Sequence, residues 1–92
     1  DYALPTEYTL MQNFPNPFNP NTTITFFLPE AQYTTLKIYN VLGKEVKTVV
    51  NENLKEGYHS VDINMSNEPS GVYLYSLSAG NFRETKKLLL LK

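Results

Sequence analysis

No cysteine occurs among the 92 residues, so the chain has no disulfide and no thiolate that could bind metal or act as a nucleophile. Tryptophan is also absent, and there is one histidine, His59. A lone imidazole lacks the second ligand of a metal centre and the facing acid of a triad, so His59 reads as a residue at the edge of a core. Neither charge sign dominates: eight basic side chains face nine acidic ones, the net charge is −1, and the pI is about 5.7. That balance carries no footprint for nucleic acid or for an anionic membrane surface. No apolar run approaches the ~20 residues of a membrane-spanning helix, and no signal peptide is visible. The serines lack a G-x-S-x-G elbow, and there is no phosphate-binding loop. The nine acids are scattered. Glu52 and Glu56 share one polar stretch, but no D-x-D-x-D-G calcium loop is present. The expectation is a domain that is not an enzyme, with no catalytic residue, no metal and no cofactor.

What is present is a pattern of short strands. A chain of this length is one small domain that buries only ~60–65% of its unfolded surface. Residues 22–28 alternate, with Ile24, Phe26 and Leu28 on one face and Thr23, Thr25 and Phe27 on the other. Residues 33–40 place Leu36 and Ile38 inward. A turn at Gly43 leads to residues 45–50, with Val46 and Val50 inward, which makes a hairpin. Residues 51–57 read as a polar loop plugged by Leu54. Residues 58–64 carry His59, Val61 and Ile63 on one face. Residues 71–79 alternate through Tyr73, Tyr75 and Leu77. A tight turn at Gly80-Asn81 then feeds residues 82–91, whose leucine-rich end predicts a strand buried on both faces. With a short strand at residues 8–12, this makes seven strands separated by turn signals, the pattern of an all-β sandwich.

Residues 10–29, LMQNFPNPFNPNTTITFFLP, organise the rest. Pro15, Pro17 and Pro20 keep the residues before them out of the helical region and cannot donate to a central ladder. Phe14 and Phe18 interrupt an otherwise polar stretch. The expected arrangement is a stiff connection that lays these two aromatic anchors over one end of a sheet. Residues 1–7 read as the end of a linker from an upstream domain, and residues 8–92 as the domain itself.

Gly71 followed by Tyr73 has the spacing of the tyrosine corner of immunoglobulin-like sandwiches, in which the phenol is tied to nearby backbone. A plain core tyrosine fits the same residues. Pro69 stands where an acid often precedes such a corner, and Tyr75 stands where a cysteine would. Phe27, Tyr33 and Tyr39 lie opposite the core positions of their strands. Aligned on one surface, they would make a carbohydrate-stacking or protein-docking patch; otherwise they cover the second face of a thin sandwich.

The stretch Gln12, Asn13, Phe14, Pro15, Asn16, Pro17, Phe18, Asn19, Pro20, Thr22, Ile24, Phe26, Leu28, Pro29 resembles the opening motif of C-terminal sorting domains of the bacterial type IX (Por) secretion system. That family more often has tyrosine at the place of Phe14 and tryptophan at that of Ile63. Leu36, Ile38, Tyr39, Asn40, Leu42, Gly43 and Val46 are similar to its L-x-I-Y-N-x-L-G-x-x-V block. Ser70, Gly71, Tyr73, Tyr75 and Leu77 are similar to its S-G-x-Y-x-Y-x-L block. Lys86-Lys87-Leu88, closing on Leu90-Leu91-Lys92, is similar to its terminus. The resemblance implies a seven-stranded immunoglobulin-like β-sandwich that serves as the export signal of a larger secreted protein. Its partners would be the outer-membrane secretion machinery, a sortase-like surface protease and the upstream cargo domain of the same chain. It would be exported through the periplasm to the cell surface or the medium. The implied recognition residues are Gln12, Asn13, Pro15, Asn16, Pro17, Phe18, Asn19, Pro20, Gly43, Gly71, Tyr73, Lys86 and Lys87.

Two other readings compete. One is an accessory carbohydrate-binding module of a secreted hydrolase, using Phe27, Tyr33 and Tyr39. The other is a purely structural immunoglobulin-like spacer. Under the sorting reading, the last strand pairs in the sheet, Lys86 and Lys87 lie near a solvent-facing rim, and the Phe14–Phe18 segment covers the leucine-rich end.

Overall fold

The computed structural model describes residues 7–92. The expected linker falls almost wholly on residues 1–6, which lie outside the described residues. Seven strands form: β1 (Thr9–Leu10), β2 (Asn21–Leu28), β3 (Gln32–Tyr39), β4 (Glu45–Leu54), β5 (Gly57–Asn64), β6 (Gly71–Ala79) and β7 (Phe82–Leu90). They make two antiparallel sheets, one ordered β1-β2-β5 and the other β4-β3-β6-β7. The expected seven-stranded β-sandwich is therefore observed. In the immunoglobulin constant-type arrangement the fourth strand joins the first sheet. Here β4 pairs with β3 in the second sheet.

The core follows from alternation. Ile24, Phe26 and Leu28 of one sheet meet Leu36, Ile38, Tyr75, Leu77, Leu88 and Leu90 of the other, all fully buried. Each sheet has one packed face, so period two persists along most strands. The β3–β4 turn closes with Asn40 N–H donating to Lys44 O at 2.9 Å, and Gly43 takes the positive φ of 83° that the turn requires.

Four local expectations need correction. Residues 51–54 are not loop: they continue β4, with Leu54 opposite Gln32 and Asn51 opposite Thr35. They read as polar because β4 is an edge strand at which little is covered. β4 also breaks alternation, since its register with β3 shifts between Leu36/Lys37 and between Ile38/Tyr39, so both Val46 and Val49 reach the core's margin. β7 is buried on one face only: Leu88 and Leu90 are inside, Leu89 is half-buried and Leu91 is 50% exposed. No layer covers the outer face of that sheet. Finally, Phe27 is on an outer face yet only 7% exposed, because its cross-strand neighbour Tyr58 packs edge-on against it at 5.0 Å. His59 does sit at the core's edge, stacked on Phe26 at 5.4 Å, with Nε2–H donating to Lys55 O at 2.7 Å.

Candidate functional site

The connection between β1 and β2 begins on one sheet and ends on the other. Met11 N–H donates to Thr25 O, and Phe14 and Thr23 exchange two bonds, all at 3.0 Å. Leu10 lies opposite Phe26, but Phe14 lies opposite Thr23. Residues 11–13 therefore hold one residue more than the facing stretch of β2. An extra residue reverses the facing of every side chain beyond it. Leu10 points inward, Gln12 turns out, Asn13 is buried, and Phe14 is 80% exposed. Phe14 is thus not the core anchor expected of it.

The backbone displaced by this irregularity is satisfied from the opposite sheet. Tyr75 of β6 donates its hydroxyl to Met11 O at 2.8 Å and accepts Asn13 N–H at 2.8 Å. Burial pushes the Tyr75 phenol up to about 12; the Asn13 N–H pulls it down, and the charge of Glu84 adds to the rise. Asn13 Nδ2 donates to Thr22 Oγ1 at 3.0 Å and to Pro15 O at 3.1 Å, while its Oδ1 accepts Gln12 Nε2–H at 2.7 Å. Thr22 Oγ1 donates to Pro15 O at 2.8 Å. Among the described residues, no buried side-chain nitrogen or oxygen lacks a partner. Asn13 and Thr22 are therefore buried without the penalty of an unmade hydrogen bond.

After Pro15 the chain crosses to β7. Phe18 forms a parallel bridge there, its N–H donating to Leu89 O and its carbonyl accepting Leu91 N–H, each at 3.0 Å. Asn16 Oδ1 accepts Leu89 N–H at 2.9 Å, and Gln12 Nε2 donates to Lys87 O at 2.7 Å. The Phe18 side chain is 2% exposed, inside the core. The X-Pro bonds at Pro15, Pro17 and Pro20 are all cis, and Pro20 O accepts Met65 N–H at 2.9 Å. The segment so covers the end of β7, which would otherwise be a bare sheet edge.

The neighbouring corner is tied as tightly. Tyr73 OH donates to Pro69 O at 2.6 Å, four residues upstream, which is the tyrosine corner expected from Gly71 and Tyr73. Burial raises the Tyr73 phenol, and Glu68 adds to the rise. Lys92 N–H donates to Ser70 Oγ at 2.9 Å, and its Nζ donates to Ser66 O at 2.7 Å and Glu68 O at 3.0 Å.

The fold thus gathers Gln12, Asn13, Asn16 and Phe18 beside the end of β7. Gly71 and Tyr73 lie opposite Leu90 and Leu88 across the β6–β7 ladder. Pro15, Pro17 and Asn19 are exposed on the same segment. Gly43 stands apart at the tip of the β3–β4 hairpin. Lys87 is exposed, whereas Lys86 is half-buried and pairs with Glu84 at 3.4 Å. The three aromatics proposed as a platform are not brought together: Phe27 is buried on one sheet, while Tyr33 and Tyr39 are six positions apart on β3 of the other. No surface presents all three to one glycan. Sequence reasoning missed the roles of Phe14 and Tyr75. A phenol at the centre of a strand's core face must find a polar partner, and that was the available signal for Tyr75. The extra residue that expels Phe14 leaves no such signal.

These features define an immunoglobulin-like β-sandwich whose first connection is bonded along its last strand. The model of the secretion system C-terminal sorting domain family matches residues 12–91, and the chain belongs to that family. It is a sorting signal of a protein exported by type IX secretion, which implies a cargo and a secretion machinery, and such a domain is not a catalytic one. No curated protein matches the chain.

Proposed function

We propose that the secretion machinery reads the outer surface of the Pro–Asn segment together with the end of β7. One observation carries this reading: Gln12, Asn16 and Phe18 bond the backbone of Lys87, Leu89 and Leu91, so two distant parts of the sequence make one preformed surface. A surface already ordered before binding loses less entropy when a partner docks. The exposed Phe14, Pro15, Pro17 and Asn19, with Lys87, are the groups the machinery touches. Phe14 is the anchor, since large aromatics, phenylalanine among them, are enriched at the cores of interfaces. Gln12, Asn13, Asn16, Phe18, Pro20, Gly43, Gly71, Tyr73 and Lys86 hold the shape. In this reading the cargo crosses the periplasm with the domain folded. A sortase-like protease then separates the two within the linker that residues 1–7 end, leaving the cargo at the surface or in the medium.

The test fuses residues 1–92 to a reporter in a bacterium that has this pathway. The reporter should leave the cell, and the sandwich should be recovered separately from it. A folded fusion retained in the periplasm would show that this chain alone is not the address.

A further inference from the structure

We infer that the half of the β7 edge that no described residue covers is a docking strand for an extended acidic segment of another protein. This deepens the sorting function by naming a partner chemistry, and rests on that function only for where such a partner is met.

The backbone of β7 shows which groups are available. Leu89 turns both its N–H and its C=O away from β6, toward Asn16 and Phe18. The β6–β7 register runs without a shift from Gly71↔Leu90 to Ala79↔Phe82. The N–H and C=O of every second residue therefore point the same way. Lys87 O meets Gln12 at 2.7 Å. The N–H of Lys87 and both groups of Thr85 and Arg83 follow on that edge, and among the described residues nothing bonds them. Five donors and acceptors thus continue the ladder that Phe18 begins, in the spacing an added strand requires.

The side chains select the partner. Arg83, Thr85 and Lys87 stand exposed on the outer face, opposite Ser78, Ser76 and Leu74 of β6. Among the described residues no acid lies beside them on that face; Glu84 faces the other way and pairs with Lys86. A second copy of β7 would set cation against cation, so self-pairing is disfavoured. An incoming strand with acids at alternate positions would meet Arg83 and Lys87 directly. The other sheet edges do not offer this. β1 is two residues long, β4 carries two register shifts and mixed charge, and β5 presents Asp62 outward.

The test titrates the purified chain with the blocked peptide Thr-Glu-Val-Glu-Val-Glu-Thr, and with its counterpart bearing Lys in place of Glu, followed by amide NMR. The glutamate peptide should shift the Arg83, Thr85 and Lys87 amides and slow their exchange, while the lysine peptide should not bind. Reversal by Arg83→Glu with Lys87→Glu, both exposed and expected to leave the melting temperature unchanged, should weaken the glutamate peptide by roughly tenfold or more and admit the lysine peptide. Equal binding of both peptides, shifts confined to other strands, or Arg83 and Thr85 amides already protected in the free chain would each overturn the inference. The titration uses no cells, so its outcome is separable from that of the export assay.

Discussion

Phe14 and Phe18 sit four positions apart in one proline-punctuated segment and have opposite fates. Phe18 is 2% exposed and bridges β7; Phe14 is 80% exposed and is held out beyond β2. Composition and local sequence do not separate them. Phe14 is expelled because residues 11–13 hold one residue more than the stretch of β2 they face, and Phe18 is admitted because the chain has by then crossed to the edge of the other sheet. The segment thereby divides its work. Its inward groups, Asn13 and Phe18, join the two sheets, Gln12 and Asn16 bond the backbone of β7, and Phe14, Pro15, Pro17 and Asn19 stand exposed along the segment.

Deleting residues 88–92 probes the joined side most severely. It removes the fully buried Leu88 and Leu90 and strips the cover from Phe18. Each buried leucine contributes about 1.5–3 kcal/mol, against a total of roughly 5–15 kcal/mol for a domain. The truncated chain should lose its cooperative thermal transition by circular dichroism. Substituting the two phenylalanines sharpens the contrast directly. Phe18→Ala should cost about 3–5 kcal/mol in urea unfolding, whereas Phe14→Ser should stay within about 0.5 kcal/mol of the parent. Equal losses would abolish the distinction.

Tyr75→Phe tests the bond that lets the irregular segment exist. It leaves Met11 O and Asn13 N–H without their partner, and should cost about 1–3 kcal/mol. The same residue sets an alkaline limit. Its folded pKa of about 12 lies above the ordinary tyrosine value of 10.0, so the folded state holds the proton more tightly than the unfolded one. Its contribution is complete below pH 10 and is lost as the pH rises toward about 12. Urea midpoints should fall across that window in the parent, and less steeply in Tyr75→Phe. The smallest effect belongs to Lys86→Ala with Lys87→Ala. Among the described residues only Lys86 of the two has a carboxylate partner, at a partly exposed site, so the melting temperature should barely move.

The contrast also marks how far the sequence can be read. β2, β3, β6 and the inward half of β7 were legible because one face of each is buried, so apolar residues recur at every second position. The Tyr73 corner was legible from its spacing to Gly71. Residues 51–54 were not, since an edge strand in water carries no hydrophobic alternation, and Asn51, Glu52 and Asn53 look the same in a strand or a loop. The over-burial expected for Leu89 and Leu91 came from reading apolarity as coverage; the sheet simply leaves its outer face open. The exposure of Phe14 depends on a register shift that no residue type announces. The family motif marks the segment as a whole, and only the hydrogen bonds distinguish the residues that shape it from those it displays.

In the proposed function the displayed side of this segment, rather than fold stability, carries the address. The measurement that tests it is the fraction of a reporter found outside the cell when fused to residues 1–92 carrying Phe14→Ser, with the unfolding midpoint of the same variant matched to the parent. The account predicts a folded domain and a reporter held inside. Undiminished export of that folded variant would contradict it.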